Sequence, residues 1–328
     1  MIRKIVVFLI ALLAKQSFAI ELYAQSDSIP KVSYEAIYDV KIEENLVYGY
    51  GLKHKSFDFD YPKVKPLKLD VYRPENNFIN RPVLVLIHGG GFRTGSKNNN
   101  SYVNLSNFFA SRGWVVFTIN YRLANDFGSV PIEWINYVDL NSPHSDKNQH
   151  KAVYPAIRDA KAALRWIVVN KNRFRIDTNY ITVGGGSAGG VSSIAVGITD
   201  NMDYRDELSI EQDPTLETTN LNTNFKVKTI LDFWGSKKAV DAINVIYSKN
   251  LYKTNNPSLF IAHGTKDTVV TYREAEELSR IYTTTGASFV LYPLKGKGHG
   301  PWQYIQNEKS LEDLSLKFII EQQRLIVN

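Results

Sequence analysis

"VGGGSAGGV", residues 183–191, sets one serine, Ser187, among five glycines. Within polar, low-complexity chain such a run reads as a flexible linker. Its flanks exclude that reading. Tyr180-Ile181-Thr182-Val183 is a β-branched and aromatic run of the kind that forms a buried strand, and Val191 onward, through Ile194, Ala195 and Val196, is apolar. The glycines therefore mark a joint between a strand and a helix, and the fold class turns on whether that unit repeats.

It does repeat. Pro82 to His88 is a continuous apolar run, the pattern of a strand buried on both faces, and Gly113 to Ile119 is another. Leu67, Leu69 and Val71 share one face of a strand at 67–72. Between these, Tyr102 to Arg112 reads as a helix with Val103, Phe108 and Phe109 apolar and Gly113 as its stop. Val153, Ile157, Ala160, Leu164 and Ile167 fall at helical spacing, which places Pro155 in the first turn, where proline is tolerated. Further strands are expected at 180–183, 227–234, 259–263 and 288–291, with helices at about 188–199, 237–249, 271–285 and 308–326. Such alternation predicts an α/β fold, a mainly parallel sheet with helices on both faces, in a single domain over residues 25–328. Residues 25–61 read as a polar, tyrosine-rich lead without an assigned strand. Two segments, about 125–150 and 200–225, break the rhythm and are expected to form a cap, since structureless insertions of this length are usually lids or binding loops.

Bulk properties narrow the class. Of 328 residues 44% are hydrophobic and 12% aromatic, enough for a large core and against general disorder. The formal charge of +6 comes from scattered lysines and arginines with no basic run, so a nucleic-acid partner is not expected. Met1-Ile2-Arg3-Lys4 is a basic start, Ile5 to Ala14 is apolar, and Ser17-Phe18-Ala19 or Leu22-Tyr23-Ala24 offers a small-residue cleavage site, the polar Gln25-Ser26-Asp27-Ser28 favouring the second; residues 1–24 thus read as a signal peptide, too short in its apolar part to span a bilayer. The expectation is a secreted or periplasmic protein without stable membrane insertion. The chain contains no cysteine, which excludes disulfides, thiolate metal sites and a cysteine nucleophile, and suits a bacterial envelope or secreted protein. Oligomeric state has no readable signal.

The chemistry is concentrated in four stretches. Gly185-Gly186-Ser187-Ala188-Gly189 matches G-x-S-x-G, in which a sharp strained turn lifts the serine Oγ above the sheet edge, and glycines around it let helix and strand pack closely. His88-Gly89-Gly90-Gly91-Phe92 follows a buried strand directly, so its glycine amides sit where open α/β folds bind ligands; together with the amide of Ala188 they could bind an oxyanion. A serine needs a base, and His299, in Gly296-Lys297-Gly298-His299-Gly300, lies in a loop after the last expected strand. An imidazole needs a carboxylate to fix its tautomer, and Asp267 falls just past a strand one unit earlier. Asp232, inside an apolar strand, is the rival acid. His88 and His263 end strands and read as structural, whereas His54, His144 and His150 read as surface residues.

With His88-Gly89-Gly90-Gly91-Phe92, Gly95-Ser96, Asn120-Tyr121-Arg122-Leu123-Ala124 and Gly186-Ser187-Ala188-Gly189-Gly190 in view, the chain resembles the α/β-hydrolase superfamily, in particular the hormone-sensitive-lipase-like esterases and the Bacteroidetes feruloyl-esterase-like hydrolases. The resemblance covers roughly residues 65–325. It implies a carboxylesterase without cofactor or metal, with Ser187, Asp267 and His299 as triad and Gly90, Gly91 and Ala188 as oxyanion donors, Gly89 being possible in place of one of these. The chain order Ser187, Asp267, His299 is that of α/β-hydrolase triads. Two departures stand out: Gly186 occupies the place where the lipase-like branch usually has aspartate, and Asn125-Asp126 with a long insertion replaces the usual Pro-Glu. The expected substrate is a small-molecule or glycan-linked ester, short-chain or aryl, including acetyl or feruloyl esters of polysaccharide. A serine peptidase or amidase would use the same groups but usually carries a large β-domain for which there is no room here, and a non-catalytic binding protein on the same fold would show loss of a triad member.

Weaker signals remain. His144, Asp146 and His150, or Asp200, Asp203, Asp206 and Glu207, could hold a metal, but the first lack strict spacing and the second lack the expected glycine. Asn104-Leu105-Ser106 is a glycosylation sequon inside an expected helix. Trp234, Trp302, Phe92 and Tyr121 are expected either to wall a pocket or to pack the core.

Overall fold

The computed structural model describes residues 29–328; the signal-peptide reading of residues 1–24 lies outside the described residues. Eight strands form one sheet: β1 (Val40–Lys53), β2 (Lys63–Pro74), β3 (Arg81–Ile87), β4 (Val115–Ile119), β5 (Ile176–Gly186), β6 (Val227–Phe233), β7 (Ser258–Gly264) and β8 (Phe289–Leu294). Their spatial order is β1-β2-β4-β3-β5-β6-β7-β8. β1 and β2, and β2 and β4, pair antiparallel; every later pair is parallel.

All seven residues of β3 are buried, as its continuous apolar run requires. Val83, Val85 and Ile87 point into one core and Leu84 and Leu86 into the other, because successive strand side chains alternate faces. The first core lies under α3 (Lys147–Val169), α4 (Ala188–Ile198), α5 (Lys238–Ile246) and α6 (Arg273–Thr285), and the second under α1 (Asn100–Ala110) and α7 (Leu311–Gln323). Helix α2 (Ile132–Asn141) lies within the first insertion.

Three expectations need correction. The polar lead contains β1, a long edge strand whose half-exposed, bulged pattern hides its period from sequence: register shifts fall between Glu43 and Leu46 and between Val47 and Gly49. Pro155 is not in a first turn, since α3 begins at Lys147; packing of Ala156, Ile157, Ala160 and Leu164 outweighs the one hydrogen bond that proline removes. His54 is buried, with Nε2 3.4 Å from Ser129 Oγ and its ring against Phe59.

The two insertions also differ. Segment 125–150 lies beside the glycine loop: Arg93 Nη2 donates to the Ser145 carbonyl at 3.1 Å, and Gln149 Nε2 stands 3.1 Å from where a Cβ on Gly91 would be. Segment 200–225 straps the flank of α3, where a cap was expected. Tyr154 donates to Glu207, Arg158 to Asp213, Lys161 to the carbonyls of Asp200 and Asp203, and Arg165 to the carbonyl of Thr219. These four α3 positions share one helix face by their 3–4 spacing. Among the described residues, no hydrogen bond joins this strap to Ser187, His299 or the glycine loop.

Candidate active site

β5 ends at Gly186 and α4 begins at Ala188, so Ser187 alone makes the turn. It does so at φ 57°, ψ −120°, outside the helical and strand regions, a strain on the order of 1–3 kcal/mol. The turn is held by the Ser187 amide donating to the Phe233 carbonyl at 2.9 Å and by contact too close for side chains: a Cβ on Gly189 would strike the Ile87 carbonyl. Strain and close approach together aim the hydroxyl outward.

His299 Nε2 lies 2.9 Å from Ser187 Oγ, and His299 Nδ1 lies 2.7 Å from Asp267 Oδ2. The carboxylate can only accept, so Nδ1 carries the hydrogen and the bare Nε2 faces the serine. Asp267 is buried and fixed from its other oxygen, Oδ1, which accepts the amides of Val269 at 2.8 Å and Val270 at 3.0 Å. His263 braces the same loop: Nε2 donates to the Val270 carbonyl at 2.8 Å, and burial lowers its pKa, keeping it neutral. The structure thus brings Ser187, His299 and Asp267 into one hydrogen-bonded run.

Asp232 stands apart. It lies beneath the elbow, its Oδ1 accepting from the Gly235 amide at 2.8 Å while Oδ2 has no partner among the described residues, and burial pushes its pKa up to about 7. No hydrogen bond connects it to His299.

The glycine loop turns on the Gly90 carbonyl, which accepts the amides of Arg93 at 3.1 Å and Thr94 at 3.0 Å; Gly90 and Gly91 have φ of 111° and 60°, conformations that glycine adopts without strain. The Gly89 amide is taken by the hydroxyl of Tyr102 at 2.9 Å. The amides of Gly90, Gly91 and Ala188 make no hydrogen bond among the described residues. His88 supports the loop: its Nδ1 is 2.8 Å from the Gly89 carbonyl, its ring stacks on Tyr121 at 4.2 Å, and burial lowers its pKa to about 4.

Of the four aromatics, Tyr121 is core, donating its hydroxyl to the His88 carbonyl at 2.8 Å, and Phe92 is buried beside it. Trp302 is half-buried and packs on Trp234 with centroids 4.7 Å apart; both flank Gly186, and Trp234 meets the His299 ring edge-on. Residues that sequence reasoning missed are supports of the loop. Arg122 binds Asp159 through both oxygens and holds the Leu52 carbonyl, and Ala124 donates to the Phe92 carbonyl at 2.7 Å, so the Asn120–Ala124 stretch anchors the glycine loop from below. The signal for Tyr102 was its place in the first turn of the helix after the glycines. His150 pairs with Ser142, Asn104 is exposed on α1, and among the described residues no three potential metal ligands gather.

Comparison with known proteins bears on this geometry. Residues 65–202, from β2 to just past the elbow helix, match the model of the carboxylesterase family. The chain is 27% identical over 237 residues to Esterase LipC of Mycobacterium tuberculosis, covering 67% of this chain and 53% of that protein. It is 33% identical over 130 residues to the para-nitrobenzyl esterase of Bacillus subtilis, covering 40% of this chain and 24% of that one. The chain therefore spans about half the length of the first of these relatives and a quarter of the second. Among solved structures, a truncated carbohydrate esterase from gut microbiota superposes with a TM-score of 0.57 at 20% identity, covering 89% of this chain and 99% of that one. Esterase 2 of Thermogutta terrifontis, with propionate bound, gives 0.56 at 19%, covering 83% and 94%. By strand order, strained serine turn and these likenesses the chain has the α/β-hydrolase fold, and its residues 65–202 match the model of the carboxylesterase family.

Proposed function

We propose that the protein is an exported serine carboxylesterase that hydrolyses short-chain or aryl esters through an acyl-enzyme. The observation that carries this reading is the hydrogen-bonded run from Ser187 through His299 to Asp267, with the Gly90, Gly91 and Ala188 amides making no hydrogen bond among the described residues. His299 Nε2 takes the Ser187 proton as Oγ attacks the ester carbonyl carbon. The carbonyl oxygen becomes an oxyanion within reach of the Gly90, Gly91 and Ala188 amides, the last also at the positive end of α4. The imidazolium, held by Asp267, returns the proton to the leaving alkoxide. Water then repeats the sequence on the acyl-enzyme and releases the acid. Each group acts where charge develops, which is where fixed dipoles contribute most.

For the substrate we infer acetyl or feruloyl esters on polysaccharide. Support comes from the N-terminal composition, which reads as an export signal, and from the structurally similar gut-microbiota protein called a carbohydrate esterase. Trp302, half-exposed beside the elbow, is suited to contact an aryl group or a sugar face. The test is hydrolysis of p-nitrophenyl esters from acetate to laurate, with a feruloyl ester and acetylated xylan alongside, by the wild type and Ser187→Ala. Activity abolished in the variant supports the proposal; equal activity in both proteins, or none in either, overturns it. Export is tested by N-terminal sequencing of the protein recovered outside the cytoplasm, with Gln25 expected first.

A further inference from the structure

We infer that Tyr102 is a positioning residue that sets the geometry of the oxyanion hole by tying its two halves to one oxygen. Its hydroxyl accepts the Gly89 amide at 2.9 Å and the Gly186 amide at 3.0 Å. Gly89 begins the segment carrying the Gly90 and Gly91 amides, and Gly186 ends the strand before Ser187 and the Ala188 amide. No other side chain among the described residues bonds to both segments. The two backbones already touch, since a Cβ on Gly89 would stand 2.7 Å from the Gly186 carbonyl oxygen, so a small slip at this contact moves one set of donors against the other.

Tyr102 is itself held firmly. It sits in the first turn of α1, whose Asn99 cap accepts from the Ser101 amide at 3.0 Å, and its ring meets Trp302 edge-on at 5.5 Å. Burial pushes its pKa up to about 12, so the hydroxyl stays neutral throughout the working range of an esterase. Tyr102 also decides which glycines donate: it occupies the Gly89 amide and leaves those of Gly90 and Gly91 free.

The inference rests on the serine-esterase reading, and the experiment separates the two. In Tyr102→Phe, kcat for p-nitrophenyl acetate should fall about 10- to 100-fold with KM within about threefold, because misplaced donors affect the transition state and not the ground state. The inhibition constant of a trifluoromethyl ketone, which adds to Ser187 and leaves an oxyanion, should rise by the factor by which kcat/KM falls. Amide hydrogen exchange at Gly89 and Gly186 should quicken, a readout independent of activity. Should Tyr102→Phe fail to fold, 3-fluorotyrosine at position 102, a weaker acceptor of the same shape, should show a smaller loss in the same direction. Unchanged kcat and ketone inhibition in a folded variant, a loss confined to KM, or unchanged exchange at both glycines would overturn the inference. Ester hydrolysis surviving in Ser187→Ala would instead overturn the esterase reading, leaving exchange at Gly89 and Gly186 to decide the tie.

Discussion

Replacing Asp232 by asparagine should make the protein progressively more resistant to urea, relative to wild type, as pH rises from 4 to 8. The carboxyl is enclosed beneath the elbow, with Gly190 and Gly235 packed against Oδ1, one amide donor, and no partner for Oδ2 among the described residues. Burial raises its pKa to about 7. In the unfolded chain the same group ionises near pH 4. Between these values the native state holds more protons than the unfolded one, so the stability that the neutral acid contributes is fully present below about pH 4 and is lost as pH climbs through about 7. At about 1.4 kcal/mol per pH unit over roughly three units, the loss is on the order of 4 kcal/mol. Asparagine fills the same space, keeps an acceptor for the Gly235 amide and does not titrate. Urea unfolding followed by tryptophan fluorescence, at steps across this range, should show the variant's stability minus that of wild type climbing by that order and then levelling. A flat difference would mean that Asp232 ionises as it does in water; a falling one would mean that its charged form is the stabilised one. Either result would refute the argument from burial.

Two further substitutions probe the site and its frame. Asp267→Asn should lower kcat about 10³- to 10⁴-fold in a folded protein, read by steady-state kinetics: Oδ1 must still accept the Val269 and Val270 amides, so the new NH₂ faces His299 Nδ1 and forces the tautomer that cannot take the serine proton. Asp213→Ala should lower stability by about 3–5 kcal/mol in urea unfolding, since it strands the buried guanidinium of Arg158, 3.0 Å from the carboxylate, and weakens the hold on Arg122, 3.8 Å away. Its kcat should stay near that of wild type at low urea, because Arg122 keeps Asp159 and the Leu52 carbonyl as partners and, among the described residues, Asp213 makes no hydrogen bond to the triad or the glycine loop; a tenfold loss of kcat would assign the strap a part in the site.

The β-α repeat was legible because strands buried on both faces leave uninterrupted apolar runs, as at Pro82–Ile87, and because the helices between them keep a 3.6-residue period. β1 was not legible, since an edge strand with one exposed face and two bulges loses its period of two. Among site residues, the serine, the histidine and the glycines are marked by local letters that impose local geometry. The roles of Tyr102, Tyr121 and Arg122 depend instead on partners 84, 33 and 37 residues away, which no spacing rule reports.

Composition and order alone thus determined the fold class, the strained serine turn and which side chains could supply a base and an acid, because each follows from backbone freedom or from periodic burial within a short stretch. Only the tertiary structure decided between Asp267 and Asp232, between Gly89 and its two successors as free donors, and between cap and strap for residues 200–225. Those choices are made by distance and desolvation: a carboxylate 2.7 Å from Nδ1 can orient the imidazole, an amide already bound to a phenol is not free for an oxyanion, and a polar segment goes where a row of buried cations and hydroxyls awaits it.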